Sequence, residues 1–232
     1  NPYLLSYTTP MNALKYLVRG IDFDFDFGRV DAIRTAFNLN GSYMWRKSGS
    51  NNYMFWNKIT GTDYSKYPHM GVFSPDYETD YSERLATNLR VIHNIPQIGL
   101  VVTLTANVIW KDRSWKSYGN DSIPIKYISR LDGKLYDFNP DDIDSEEFIG
   151  IDRRSTVNPT RLIREGVMPP LLTMNLNITK EIRDFLKVSF FANNMFRSTP
   201  LWESKKNPGS YTRRNTTENV FFFGLELTAI IR

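Results

Sequence analysis

Apolar and acidic side chains alternate without a break from Ile21 to Phe27, which reads Ile-Asp-Phe-Asp-Phe-Asp-Phe. An extended chain turns successive side chains to opposite faces, so Ile21, Phe23, Phe25 and Phe27 share one face while Asp22, Asp24 and Asp26 share the other. The pattern predicts a strand near residues 19–27. A soluble sandwich sheet with one wet face alternates in the same way, so this segment alone leaves open whether its apolar face meets a protein core or lipid. Period two returns in six more segments, near 35–45, 84–93, 100–110, 171–179, 185–196 and 219–232. In the second, Phe37, Leu39, Tyr43 and Trp45 oppose Asn38, Asn40 and Ser42; in the fourth, Leu100, Val102, Leu104, Ala106, Val108 and Trp110 oppose Thr103, Thr105 and Asn107. Residues 1–18, with Pro2 and Pro10, have no clean period and read as loop.

The connections between these strands alternate in length. Short turns follow strands one, three and five, whereas stretches rich in Gly, Ser, Asn, Pro and Tyr, near 46–82, 111–170 and 197–218, follow strands two, four and six. The longer ones far exceed the usual loops of compact domains. In an up-and-down meander this rule gathers all short turns at one end and all long loops at the other, the arrangement of outer-membrane barrels. Strands of roughly 10 residues at about 3.3 Å each, tilted near 45°, also match the thickness of a hydrocarbon core. The expected fold is therefore an all-β, antiparallel up-and-down transmembrane barrel segment. Long loops outside and an odd number of strands put the C-terminus on the periplasmic side of a Gram-negative outer membrane. Trp45, Trp110 and Phe196 then fall at the outer interface, and Phe27 and Phe185 at the inner one, as an aromatic girdle requires.

Composition narrows the chemistry. The chain of 232 residues has no cysteine, which removes disulfides and thiolate metal sites or nucleophiles. Its 29 basic residues are nearly balanced by 25 acidic ones, for a net charge of +4, too weak a surplus to indicate nucleic acid. No apolar run reaches the 18 or so residues of a membrane helix. The first residues, Asn1-Pro2-Tyr3, carry no targeting signal, so an exported protein would have its signal upstream. His69 and His93 have no partner at metal-ligand or triad spacing, and no phosphate loop, nucleophile elbow or zinc signature occurs, so the chain is read as a non-enzyme without cofactor. The acidic stretch 137–147 fits no EF-hand register and reads as a solvated loop, with calcium in the outer loops left open.

Two sets of residues are candidates for function. Asp22, Asp24, Asp26, Asn38, Asn40, Arg84, Arg90, Thr105, Lys187 and Glu226 fall on the polar face and read as a hydrated lumen wall, in preference to paired catalytic carboxylates. Tyr53, Trp56, Tyr64, Tyr67, Trp115, Tyr118, Trp202 and Tyr211 lie in the long loops, where flat rings beside polar groups either bind a ligand or partner or hold the loops in shape.

The segment Leu186-Lys187-Val188-Ser189-Phe190-Phe191-Ala192-Asn193-Asn194-Met195-Phe196 and the closing Phe221-Phe222-Phe223-Gly224-Leu225-Glu226-Leu227-Thr228-Ala229-Ile230-Ile231-Arg232 resemble the last two strands of TonB-dependent outer-membrane receptors. The likeness is to the large Bacteroidetes receptors of the starch-uptake type, and it extends back through the Asp-Phe repeat and the Asn94-Ile95-Pro96 turn. It implies a 22-stranded barrel around an N-terminal plug, importing a scarce nutrient such as a glycan or peptide with energy from TonB. Implied partners are the plug and remaining strands, the TonB system, a surface lipoprotein and outer-membrane lipid. The plug, the TonB box and the early strands are missing from the sequence, and Arg232 stands where such proteins commonly end on an aromatic residue. Seven strands are also too few to close a membrane barrel, for which about eight is the minimum. A passive porin, an outer-membrane enzyme barrel and a soluble β-sandwich glycan-binding module are the alternatives.

Overall fold

The computed structural model describes residues 10, 12–58, 69–75, 77–183, 185–213 and 220–229. Strand accounts for 61 % of the chain and helix for 6 %, so the protein is all-β. The strands in chain order are β1 (Leu14–Val30), β2 (Thr35–Ser50), β3 (Met54–Trp56), β4 (His69–Phe73), β5 (Glu78–Ile95), β6 (Leu100–Tyr118), β7 (Lys126–Ser129), β8 (Leu135–Asp137), β9 (Leu171–Ile182), β10 (Leu186–Ser198), β11 (Trp202–Glu203), β12 (Tyr211–Thr212) and β13 (Phe222–Ala229). Seven of them form one sheet in the order β1-β2-β5-β6-β9-β10-β13, the meander expected from the alternation. A second sheet, β3-β4-β7-β8, and the small hairpin β11-β12 are built inside the long connections.

Several boundaries differ from the sequence reading. The strands expected at 19–27, 35–45, 84–93 and 100–110 run on to 17, 16, 18 and 19 residues. Their extensions, such as residues 14–18, 46–50, 78–82 and 111–118, carry polar and aromatic side chains on both faces, so hydropathy alternation fades while the backbone ladder continues. Residues 14–18 are thus strand and not loop. The last strand is shorter at its start than expected, because Val220 and Phe221 lie outside it, and residues 230–232 lie outside the described residues.

Register keeps the two faces of the large sheet distinct. Val102, Ile178, Phe190 and Leu225 form one continuous cross-strand row, and Val101, Thr179, Ser189 and Glu226 form the row beside it on the opposite face. Thr179 and Ser189 are hydrogen-bonded at 2.9 Å. At the start of the sheet the same separation needs a bulge. The turn 31–34 joins Val30 to Thr35, and in an unbroken ladder even residues of β1 would face odd residues of β2. Gly28 takes a φ of 63° and donates its N–H to Asp26 Oδ1 at 2.9 Å, the left-handed glycine of a bulge that adds one residue. Even then meets even: Asn38 Nδ2 donates to Asp24 Oδ1 at 2.7 Å, and the Phe23 ring lies over Gly41. The three short turns also share a device, each holding one left-handed residue: Arg34, Gly99 and Arg183.

The chain divides into two compact units. One comprises Arg19–Trp45, Glu83–Arg113 and Gly166–Arg232, and the other Asn1–Val18, Arg46–Ser82 and Ser114–Glu165. In the first, apolar side chains of the two edge strands are exposed, Phe25, Phe27, Leu225 and Leu227 at 53 %, 62 %, 72 % and 71 %, whereas those of the inner strands, such as Leu104, Leu176 and Phe190, are half-buried. In the second lies the hydrophobic core, where Phe138, Ile143, Phe148 and Ile151 are buried together with Ile123 and Tyr127 packed on them. Its rings meet edge to face, Phe138 on Phe148 at 5.1 Å and Tyr127 on Phe148 at 4.8 Å, the arrangement their quadrupoles favour. The loops expected at 46–82 and 111–170 are therefore not structureless: they carry a sheet and a core of their own.

Gly41 and Gly224 both sit beneath phenylalanine rings, but with different surroundings. A Cβ on Gly41 would come within 2.6 Å of Phe23 and 2.7 Å of the Ala86 carbonyl, whereas the nearest atoms to one on Gly224 all belong to the Phe191 ring, at 2.6 to 3.1 Å. A ring can swing aside and a backbone carbonyl cannot. Gly41→Ala is expected to cost about 1–3 kcal/mol and Gly224→Ala distinctly less, read as urea midpoints. Equal costs would contradict the assignment of the Ala86 carbonyl as the hard wall.

Candidate functional site

The large sheet holds a groove of about 690 Å³ whose polar lining is Asp22, Asn40, Ser42, Arg84, Asn88, Asn107, Thr173 and Asn194, with Phe23, Val108, Ile109 and Leu171 among its apolar walls. Alternation on β1, β2, β5 and β6 delivers Asp22, Asn40, Ser42, Arg84, Asn88 and Asn107 to one side. Beside the groove, Asn38 Nδ2 donates to Asp24 Oδ1 at 2.7 Å, and Asn38 Oδ1 receives a bond from Asn40 Nδ2 at 3.1 Å. Asp26 is used differently, as the acceptor that fixes the Gly28 bulge. Thr105 faces Asn175 across β6 and β9, Lys187 reaches Glu181 at 2.7 Å, and Glu226 stands opposite Ser189. Arg84 and Arg90 are exposed.

Asn194 was not legible as a site residue. β10 carries an irregularity between Ala192 and Phe196, which pair with Leu176 and Met174, so four residues of β10 span two of β9. Asn194 sits in it with a φ of 54°, a conformation that asparagine tolerates better than most residues. Its N–H donates to Asn175 Oδ1 at 2.8 Å and its side-chain amide to the Val220 carbonyl at 3.2 Å. The sequence signal is the Asn193-Asn194 pair that interrupts an otherwise apolar strand end. The irregularity keeps parity, since an even number of residues is inserted, and Phe196 stays on the apolar face.

The loop aromatics are not gathered into one cluster. Trp115 stacks flat on Tyr81, with centroids 5.3 Å apart and planes 9° from parallel. Tyr118 lies 4.5 Å beneath the Arg161 guanidinium, which forms a two-pronged ion pair with Asp121; Nη2 is 2.6 Å from Oδ1 and Nη1 also reaches Oδ2. Asp121 is 3 % exposed, so this pair anchors the loop from within. Trp56 and Trp202 lie half-buried in β3 and β11, while Tyr53 and Tyr211 are exposed. Tyr64 and Tyr67 lie outside the described residues. Among the described residues no three His, Cys, Asp or Glu side chains converge as a metal site, and Asp137 and Asp144 of the acidic stretch pair with Lys126 and Arg154.

Both histidines have partners that spacing did not reveal. The Thr35 hydroxyl lies 2.8 Å from the Ile33 carbonyl and 2.8 Å from His93 Nδ1, hydrogen-bonded to both. The bond to His93 ties two short-turn ends together. His69 is 2 % exposed, with Tyr127 at 4.9 Å and Phe148 at 5.3 Å, and its Nε2 lies 3.6 Å from Glu147. Its Nδ1 forms no hydrogen bond among the described residues. Burial pushes this imidazole below its ordinary value of 6.5; Glu147 offsets part of the effect and the Arg130 charge adds to it.

Comparison with protein-family models, with curated proteins and with solved structures returns no match.

The His69 environment yields a signed pH effect. The folded chain holds the imidazole neutral, while the unfolded chain takes up a proton near 6.5, so the stabilisation is complete above that pH and is lost as the pH falls below it. Amide protection of Val72 and Phe73 is expected to decline on acidification, and His69→Gln should flatten that decline whatever its effect at neutral pH. An unchanged pH slope in the variant would exclude His69 as the source.

Proposed function

We propose that the chain is the C-terminal barrel portion of a TonB-dependent outer-membrane receptor, an active importer of a nutrient ligand such as a glycan or peptide. The observation that carries this reading is the exposure of apolar side chains on the edge strands of the large sheet. Burying a Phe or Leu side chain is worth roughly 1.5–3 kcal/mol, and Phe25, Phe27, Leu225 and Leu227 remain exposed while the core forms elsewhere in the chain. Contiguous apolar surface of this kind marks a face that meets something other than water. Lipid is the solvent that accepts a whole sheet face of alternating phenylalanine, leucine and valine.

Further features agree. The sheet is a meander with its short turns at one end, as in membrane barrels. Its outer strands, β1 and β13, have no neighbour beyond them among the described residues, and open edges in lipid cost several kcal/mol per unsatisfied group, so further strands of the receptor would complete the barrel. Trp110 directs its indole N–H to Thr87 Oγ1 at 2.8 Å while its ring is half exposed, the habit of an interfacial tryptophan. Lys180 lies in the apolar row with Leu100 and Val188, near the short-turn end, and turns its ammonium to the Ile98 carbonyl, as a snorkelling lysine does. The opposite face, with Asp24, Asn38 and Asn40 hydrogen-bonded along it, is the matching wet side, suited to a plug or to hydroxyl-bearing ligands. On this reading the long connections are outer loops that shape the ligand mouth and offer a surface to a lipoprotein partner. A soluble sandwich would need Phe25, Phe27, Leu225 and Leu227 covered, and their exposure gives that alternative no support.

Cell fractionation and an uptake assay test the proposal together. The protein is expected in the outer-membrane fraction, resistant to alkaline carbonate, and the uptake it supports should vanish when the inner-membrane energy transducer is deleted. Recovery in the soluble periplasm would refute the membrane reading. Membrane location with uptake that survives the deletion would refute active import and favour a passive porin.

A further inference from the structure

Residues 139–149 lie against the four-stranded sheet as a strap fastened at its two ends. The Phe138 N–H donates to the Ile125 carbonyl at 3.1 Å on one side, and the Lys58 N–H donates to the Gly150 carbonyl at 2.8 Å on the other. Between these points the main-chain hydrogen bonds among the described residues are local, from Asp142 to Asn139, Ile143 to Pro140, Ser145 to Asp142 and Phe148 to Ser145. Side chains alone hold the middle of the strap. Ile143 and Phe148 are buried with Phe138 and Ile151, and the Phe148 ring lies 5.3 Å from the His69 imidazole and 4.8 Å from the Tyr127 ring. The Asp144–Arg154 pair, at 2.7 Å, is largely exposed and adds little.

His69 is the part of the sheet on which the strap rests, and its surroundings are ill suited to a charge. Nε2 faces the Glu147 carboxylate at 3.6 Å, and Nδ1 has no hydrogen-bond partner among the described residues. The cross-strand neighbour Ser129 turns its hydroxyl to the Leu131 N–H at 3.2 Å. The charged and titratable groups around the ring are Glu147 from the strap, Arg130 from the end of β7 and the Tyr127 phenol from β7. Arg130 is buried, whereas Glu147 is 64 % exposed and screened by solvent. An imidazolium carries an N–H on both nitrogens, so protonation would bury one at Nδ1 without an acceptor and add a second positive charge near Arg130. Lifting the strap opens the ring to water and relieves both. We infer that residues 139–149 are an acid-released strap, docked by the neutral imidazole of His69 and freed when that imidazole takes up a proton. Release uncovers Ile143 and Phe148, so the long connection presents in mild acid an apolar surface that it hides at neutral pH. All these residues belong to one compact unit, and the strap does not require the membrane proposal.

Burial holds the docked imidazole below its ordinary value of 6.5 and a freed one returns to it, so docking weakens as the pH falls through 6.5. Hydrogen–deuterium exchange of the full chain, corrected for the intrinsic pH dependence of amide exchange, tests the strap. From about pH 7.5 to about pH 5, protection of the Asp142, Ile143, Ser145 and Phe148 amides should fall about tenfold. At each pH it should also lie at least about tenfold below that of Val72 and Phe73, because the strap opens without the strand beneath it. His69→Phe should abolish the pH slope at the strap. Glu147→Gln should steepen it, because the carboxylate partly stabilises the docked imidazolium. Strap protection that does not change with pH, a slope that survives in His69→Phe, or protection equal to that of Val72 and Phe73 would overturn the inference. Where circular dichroism shows His69→Phe unfolded, Glu147→Gln decides, and an unchanged or shallower slope overturns the inference equally. These readings are separate from cell location and uptake, so the strap and the importer proposal fail independently.

Discussion

Two-residue periodicity commits each strand of the large sheet to a single decision, because a shift of one residue turns its two sets of side chains to the wrong faces, in Ile21–Phe27 exchanging phenylalanines for aspartates. The structure defends that decision at the places where it is most at risk. Gly28 adds the residue that brings Asp24 beside Asn38, and the irregularity at Asn194 inserts residues in an even number, so Phe196 and Met174 still meet. Gly41 and Gly224 leave room for rings to lie along the sheet. What results is a sheet with one mainly apolar and one mainly polar face, whose buried residues among those described are few, Leu171 and Ala192 among them.

The protein's core lies instead in the long connections. Phe138, Phe148, Ile143 and Ile151 close around Tyr127 and His69, and the Asp121–Arg161 pair, stacked on Tyr118, fixes a neighbouring loop. A long connection normally costs entropy and contributes little. Here apolar burial offsets that cost. This division of labour fits a receptor in which lipid satisfies the sheet and the loops must stabilise themselves.

The strands and their order were legible because each carries its own alternation, and Ile21 to Phe27 carries it most strongly. Strand ends were not, since Lys15, Lys47 and Lys116 extend ladders whose side chains have no common hydropathy. The four-stranded sheet β3-β4-β7-β8 escaped notice for a different reason: its strands of three to five residues are too short to show a period, and their pairing joins segments distant in sequence, His69 with Ser129. The polar-wall residues Asp24, Asn38 and Asn40 followed from parity alone. Asn194 did not, because a bulge is a property of three-dimensional neighbours. The loop aromatics show the same limit: composition identified them, but only coordinates assign Trp115 and Tyr118 to packing while leaving Tyr53 and Tyr211 exposed.

The central claim is that the two faces of one sheet meet two different solvents. Because the chain has no native cysteine, single substitutions Phe25→Cys, Leu225→Cys, Asp24→Cys and Ser189→Cys can each carry a spin label without background. In protein reconstituted into lipid vesicles, labels at 25 and 225 should collide with lipid-dissolved oxygen and be shielded from a water-soluble nickel chelate, with the reverse at 24 and 189. Equal access of the nickel chelate to all four positions would contradict the account.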